Sequence, residues 1–401
     1  MISDLNQIYS TSIRGMKKSA IRELLKLTQD PEIISFAGGL PAPESFPVKE
    51  LNEVLEKVMR DEPNIALQYG STEGDNLLRT LLVERYRKEG LNFSMKNLII
   101  TTASQQALDH IAKIFVNPGD KVIVGLPSYL GALSAFNSYG ADMIGIPLDH
   151  DGMSAEKLED ELKRLKAMNQ KPKFIYVIPD FQNPSGITMS KKRRLEIIAI
   201  AKKYDVLIVE DSPYRELRFE GEPVEMMYAL DNTEQVITLG TFSKIFAPGF
   251  RIGWIIGNED ILDKIVTAKQ SSDLCTPPYT QRIAARYVEA GHLDKNIKKI
   301  IDLYRDKRDG MLEAFRTHMP KEVQWTEPAG GLFLFVTLPE HMDAEVLFKE
   351  AIKQKVAFVM GTSFYCNGAG RNTMRINFSY STKEVNIEGS KRLAQVIKDN
   401  L

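Results

Sequence analysis

Val236-Ile237-Thr238-Leu239-Gly240-Thr241-Phe242-Ser243-Lys244-Ile245-Phe246-Ala247-Pro248-Gly249-Phe250-Arg251-Ile252-Gly253-Trp254-Ile255-Ile256 sets a polar cluster between two apolar runs. The flanking runs read as buried strands, so the cluster between them is pinned at both ends. Loops held in this way carry catalytic groups, because the scaffold fixes their positions and the loop exposes their polar atoms. Thr241, Ser243 and Arg251 offer two hydroxyls and a forked guanidinium, a set suited to the oxygens of a phosphate. Lys244 lies among them. A lysine made less basic by burial and a neighbouring cation is a nucleophile that forms a Schiff base with an aldehyde. Read alone, the cluster is as well explained by a solvated turn that happens to hold one of the chain's 52 lysines and arginines.

Outward from this loop the same pattern repeats. Short apolar runs at 98–101, 121–124, 142–146, 174–178 and 206–210 alternate with helical stretches and join the two runs already named. Most of them are too apolar to have a wet face, as expected of strands covered by helices on both sides. They predict an α/β domain with a mainly parallel sheet of about seven strands. Ligand groups in such sheets gather in loops at the carboxyl ends of the strands. Three loops there are informative: Thr102 to Leu108, Pro179 to Gly186, and Asp211-Ser212-Pro213-Tyr214.

Beyond residue 290 the pattern changes. Ile297, Ile300, Ile301, Tyr304, Met311, Leu312 and Phe315 trace the buried stripe of a long helix. Strand-like runs at 323–326, 332–337, 356–359 and 374–378 follow, with helices at 344–354 and 383–398. This predicts a smaller α+β domain at 291–401, a large domain at 46–290, and an N-terminal segment, 1–45, packed on the small domain. Within that segment Ile21, Leu24 and Leu25 give a helical face, with Ser19 as cap and Arg22 early in the helix. Residues 33–43 then bring Gly38-Gly39 and alternating prolines, which exclude regular structure and let backbone approach a ligand. A second glycine-punctuated loop, Gln68-Tyr69-Gly70-Ser71-Thr72-Glu73-Gly74, precedes a helix predicted over 76–88.

Composition narrows the class of partner. The 401 residues are 43% hydrophobic and 26% charged, with a formal net charge of -1. Such a balance gives no field for nucleic acid or an anionic membrane and favours a small-molecule ligand. Cys275 and Cys366 are too few for a disulfide framework and lack zinc-site spacing, so both are expected to be reduced. The N-terminus has no basic segment followed by an apolar one, and no run approaches membrane-spanning length, which predicts a cytoplasmic protein. There is no internal repeat and no low-complexity tract.

Taken together, Ile33-Ile34-Ser35-Phe36-Ala37-Gly38-Gly39, Asn183-Pro184-Ser185-Gly186, Ser243-Lys244 and Arg375-Ile376-Asn377-Phe378 form an ordered set spanning most of the chain. In this the sequence resembles the fold-type I pyridoxal phosphate enzymes of the class I/II aminotransferase family. It is most similar to the branch holding 2-aminoadipate and kynurenine aminotransferases of broad specificity. The narrower likeness rests on the N-terminal loop, on Gln68-Tyr69-Gly70 and on the 241–251 run.

The resemblance implies a role for each position. Lys244 would hold pyridoxal phosphate covalently and, once freed, carry the proton from the substrate's Cα. Asp211 would pair with the pyridine nitrogen and keep it protonated. Asn183 and Tyr214 would bond the cofactor's phenolate oxygen, with a cis Asn183-Pro184 bond, and Tyr129 would stack on the ring. Ser104 and Gln105 at a helix start, with Thr241, Ser243 and Arg251, would hold the phosphate. Tyr69 would reach that phosphate from the other subunit of a homodimer with shared sites. Arg375 would grip the substrate's α-carboxylate, Gly39 would lie against the substrate, and Arg22 would receive a distal carboxylate. Thr241 stands where many relatives have serine, which keeps the hydroxyl.

The function expected is ping-pong amino transfer between an L-amino acid and a 2-oxo acid, with 2-oxoglutarate as acceptor. Two alternatives stay open on these residues. One is a different pyridoxal phosphate reaction on the same fold, a C–S lyase or a decarboxylase. The other is an aminotransferase-like regulatory sensor, which would need a DNA-binding domain ahead of Ile33, where only about 30 residues stand.

Overall fold

The computed structural model describes residues 7–16, 30–231 and 233–401. At its centre is an eight-stranded sheet in the order β2-β9-β8-β7-β6-β3-β4-β5. These are β2 (Leu98–Thr101), β3 (Lys121–Leu126), β4 (Asp142–Asp149), β5 (Gly152–Met153), β6 (Phe174–Val177), β7 (Leu207–Asp211), β8 (Val236–Thr241) and β9 (Gly253–Ile256); β1 is the separate pair Ile34–Ser35. Neighbours from β4 across to β8 run parallel, and β9 runs antiparallel to both β8 and β2. The mainly parallel α/β architecture expected from the apolar runs is therefore present. The strand beyond the expected seven is β5, where the chain turns back at Asp151 and pairs two residues with the end of β4.

Side-chain alternation explains the double burial. Ile123, Ile175, Val177, Ile208 and Val236 face one core with Leu158, Leu162, Ile197 and Ile198 from the helices Ala155–Ala167 and Lys191–Tyr204. Val122, Val124, Phe174, Tyr176, Val209 and Ile237 face the opposite core with residues of Ala103–Phe115 and Leu130–Ser138. Each strand thus feeds both layers, as a period of two requires. Helix starts are fixed by side-chain caps, among them Asp75 for Asn76–Lys88, Ser190 for Lys191–Tyr204 and Thr382 for Lys383–Asp399.

A second sheet is antiparallel, in the order β10-β11-β14-β13, from β10 (Gln324–Trp325), β11 (Phe333–Thr337), β13 (Val359–Met360) and β14 (Thr373–Asn377). The long helix His292–His318 carries the predicted stripe inward through Ile297, Ile300, Tyr304, Met311 and Phe315. Residues 33–43 depart from the expectation of no regular structure. Ile34 and Ser35 pair in parallel with β12 (Val356–Ala357), and Pro43–Ser45 form a 3-10 turn. The amide of Asn377 also donates to the Phe36 carbonyl at 3.0 Å, so this segment is stitched to the C-terminal strands. The predicted Ser19 cap, the helix around Ile21, and Arg22 lie outside the described residues. Among the described residues no helix is long and apolar enough to cross a membrane.

Candidate active site

Every loop singled out at a strand's carboxyl end opens onto one cavity of about 530 Å³. Asp211 closes β7, Thr241 closes β8, Tyr129 follows β3, Asn183 follows β6, and Ser104 and Gln105 sit in the first turn of the helix after β2. All of them line the cavity, together with Gly39, Tyr214, Ser243, Lys244, Arg251 and Arg375. One expected residue among those described does not. Tyr69 is 80% exposed on the surface, and Arg22 is outside the described residues.

Lys244 reaches across the cavity, its Nζ donating to the Gly39 carbonyl at 2.8 Å. Burial first, then the positive charges of Arg375 and Arg251, lower its pKa from 10.5 to about 8. An amine in this state is partly unprotonated near neutrality and can add to a carbonyl carbon. Asp211 is 2% exposed, and burial lifts its pKa from 3.8 to about 7. Its Oδ2 accepts from Tyr176, and its Oδ1 is buried with no hydrogen-bond partner. A buried lone acceptor facing a cavity requires a donor from whatever fills that cavity.

Arg375 is 1% exposed in the middle of β14. Its Nη1 donates to Asn183 Oδ1 at 3.0 Å and its Nη2 to the Ala37 carbonyl at 2.7 Å, while Nε has no partner. The guanidinium lies 4.3 Å from the Phe333 ring centre and 5.1 Å from that of Phe364. Among the described residues no carboxylate pairs with it. Burial accordingly lowers its pKa to about 10. A buried cation without its anion is a strong site for one. Asn183 turns its amide to Tyr214 Oη at 3.3 Å, and the Asn183-Pro184 bond is cis.

The far end of the cavity is an anion cup. Thr241 Oγ1 donates to the Ile252 carbonyl at 3.0 Å and accepts from the amide of Ser243, which fixes the two hydroxyls side by side. Arg251, in the left-handed region at φ 54°, closes the loop. Opposite stand the first-turn amides of Ala103–Phe115, which lack intrahelical acceptors. Gly253 makes the approach possible, because a Cβ there would lie 2.7 Å from the Ala103 carbonyl carbon and the Ser104 nitrogen. The Gln105 side chain donates to the Gly131 carbonyl at 2.9 Å. Gly131 itself carries the Tyr129 ring, since a Cβ there would lie 2.5 Å from it.

Sequence reasoning missed Phe333, Gly131, Ala103 and Tyr176. The glycine had a signal, lying two residues after an aromatic that itself follows a proline by two; the others depend on tertiary neighbours. Ala103 starts the cup's helix at φ 61°, a conformation that costs an L-residue ~1–2 kcal/mol. Ala103→Gly is therefore expected to stabilise the protein by up to about 1 kcal/mol after glycine's extra unfolded-state freedom is deducted, read from denaturant midpoints.

The donor set fits pyridoxal phosphate: a lysine amine, an orphaned carboxylate oxygen for a ring N–H, and hydroxyls, amides and a guanidinium for a phosphate. A catalytic cavity of this make-up on a mainly parallel α/β sheet defines a fold-type I pyridoxal phosphate enzyme. Residues 34–392 match the aminotransferase class I and II family. An aromatic-amino-acid aminotransferase of Thermococcus litoralis is 47% identical over 99% of this chain and 96% of its own. The 2-aminoadipate transaminase of Thermus thermophilus is 38% identical over 96% of this chain and 94% of its own. Among solved structures, a Pyrococcus horikoshii kynurenine aminotransferase complexed with PMP and kynurenine superposes with a TM-score of 0.97 at 47% identity, covering 100% of this chain and 99% of that one. The chain belongs to the class I and II aminotransferases, and it is a pyridoxal phosphate-dependent aminotransferase.

Proposed function

We propose that the protein exchanges an amino group between L-amino acids, aromatic, aliphatic or 2-aminoadipate, and a 2-oxo acid, 2-oxoglutarate serving as acceptor, by a ping-pong course. The observation that carries this reading is the make-up of the cavity: the Lys244 amine shares it with an anion cup and with the carboxylate-free Arg375. Pyridoxal phosphate, when bound, supplies an aldehyde that condenses with amines and a protonated ring that draws electrons from the bond broken at Cα. Ser104, Gln105, Thr241, Ser243 and Arg251 would hold its phosphate, Asp211 the ring nitrogen, Asn183 and Tyr214 the phenolate oxygen, and Tyr129 a ring face.

Lys244 has two duties in this assignment. Its amine would anchor the cofactor and, once freed, would take a proton from the substrate's Cα and deliver it to the cofactor's aldehyde carbon. Gly39 offers its carbonyl to the free amine and its bare Cα to the substrate. Arg375 would align the α-carboxylate by its three remaining N–H donors, so that the bond to be broken is held in one orientation. Arg375→Ala is expected to lower kcat/KM for every α-amino acid by roughly 10²–10⁴-fold, the ~3–5 kcal/mol lost with one partner of a buried pair. Steady-state rates for primary amines without a carboxylate, measured alongside, should change little.

Leu40, Leu130, Ile178 and Phe333 give the cavity apolar walls that suit aromatic and aliphatic side chains. The cations among its described lining residues are Lys244, Arg251 and Arg375, each already assigned, so a distal carboxylate calls for another. Arg22 is proposed for that role. Ile65, Leu67 and Tyr69 are exposed at 49%, 67% and 80%. That apolar surface supports a homodimer in which Tyr69 completes the partner's phosphate cup. The reading also takes 1–45, 46–290 and 291–401 as N-terminal segment, large domain and small domain, with β1 on β12 as support. The two free cysteines accord with a cytoplasmic setting.

The test is a half-reaction followed by absorbance. Protein reconstituted with pyridoxal phosphate is mixed with single amino acids, then with 2-oxoglutarate. The visible band should collapse with the amino acid and return with the oxo acid. A band that forms and never converts would instead favour a sensor or a different pyridoxal phosphate reaction.

A further inference from the structure

Tyr176 belongs to a strand that reads as wholly apolar, and it is 1% exposed in the middle of the sheet. In the β6/β7 register Tyr176 is opposite Val209. Asp211, two residues on, therefore points to the same face and is its diagonal neighbour. The phenol closes that diagonal, donating to Asp211 Oδ2 at 2.7 Å. Its ring is held edge-on against Phe136, with centroids 5.4 Å apart and planes at 79°. Aryl packing and a charge-assisted hydrogen bond together leave the carboxylate one orientation, in which Oδ1 has no protein partner.

We propose that Tyr176 is a positioning residue for Asp211: by occupying Oδ2 it presents Oδ1 to the ring nitrogen of the bound cofactor and favours the ionised carboxylate there. This inference rests on the aminotransferase reading. Burial alone pushes the Asp211 carboxyl up, and the Tyr176 hydrogen bond is what opposes it. The other groups facing Asp211 are the hydroxyls of Tyr129 and Tyr214, both raised above the usual phenol range and so neutral. Lys244, Arg251 and Arg375 share the cavity. Without the phenol the carboxyl keeps its proton to a higher pH, and a neutral acid cannot hold a protonated ring.

The experiment compares wild type and Tyr176→Phe by equilibrium titration of the cofactor-free protein with pyridoxal phosphate across a pH series, and by kcat against pH for the loaded enzyme. Near pH 7 the variant should bind the cofactor roughly tenfold more weakly, about the worth of one hydrogen bond to a charged group. That gap should close as the pH rises, and the acidic limb of the kcat profile should move upward with little change in KM. A packing role would weaken binding equally at every pH. In an Asp211→Asn background the same change should shift affinity less than about twofold, since no charge is left to hold. Equal affinity in Tyr176→Phe and wild type, a pH-independent loss, or the same loss in both backgrounds would overturn the proposal. Should Tyr176→Phe fail to fold, the double variant with Asp211→Asn must fold, and failure of both overturns it as well. If wild type itself binds no pyridoxal phosphate, the aminotransferase reading fails first; if wild type binds and the variant matches it, this inference alone falls.

Discussion

Lys244→Ala is expected to lower multiple-turnover amino transfer by at least roughly four orders of magnitude, because in the proposed assignment one side chain supplies both the covalent anchor and the proton carrier. The two duties are not separable by addition, since losing either stops the same sequence of steps. The cup for the phosphate does not use the lysine, so cofactor should still bind, though without its covalent link. Steady-state assay with 2-oxoglutarate measures the first effect, and circular dichroism melting checks the fold. Retained multiple turnover would remove Lys244 from the mechanism. A second consequence follows from its pKa, lowered to about 8 by burial. Between that value and 10.5 the unfolded chain binds the extra proton, so the native protein gains stability from this group as pH rises through that window. The cofactor-free alanine variant should accordingly be more stable than wild type below about pH 8, with the difference fading toward pH 10.5.

Asp211→Asn is expected to cut kcat by roughly 10²–10⁴-fold and at the same time to stabilise the cofactor-free protein. The loss would come from replacing the charge that, in the proposed assignment, keeps the ring nitrogen protonated. The gain comes from removing a carboxylate that burial disfavours. Its folded pKa, about 7, lies above the ordinary 3.8, so the stability linked to its protonation is complete below 3.8 and is lost as pH rises to about 7. Above that, the charged group costs the empty protein on the order of 4 kcal/mol, the equivalent of about three units of pKa. Chemical denaturation of cofactor-free wild type and variant should give similar stabilities near pH 4 and a clear advantage for the variant near pH 8. An equal difference at both pH values would contradict this assignment. Opposite signs for activity and empty-state stability are what a residue kept for its charge should give.

Much of this was legible before any coordinates. The main sheet was readable because buried parallel strands are apolar on both faces, and 98–101 or 236–239 leave little else to be. The cofactor loops were readable because chemistry there needs fixed residue types at strand ends, as with Asp211 and Lys244. What was hidden is tertiary in origin. The burial of Arg375 depends on Phe333 and Phe364, which sequence places 42 and 11 residues away. Ala103 adopts its left-handed φ where the bare Gly253 lets the two backbones approach, and alanine carries no local sign of such a turn. Tyr176 was concealed in plain view, since a tyrosine in an apolar strand is ordinarily core and only its register against β7 reveals what the hydroxyl meets. β5 escaped because two residues make no pattern.

The grip on Arg375 by the Ala37 carbonyl joins residues 338 positions apart. During synthesis from the N-terminus, the early stretch that carries Ala37 and Gly39 must therefore wait, without its docking surface, until almost the entire polypeptide has left the ribosome. Contacts of such long range form late, after the loop between them has been closed. The central sheet can be assembled well before this, since β2 to β9 lie within residues 98–256. The catalytic pocket is consequently among the last parts to mature, and a nascent chain shortened ahead of β14 would hold a lysine and a phosphate cup but no means of orienting an amino acid.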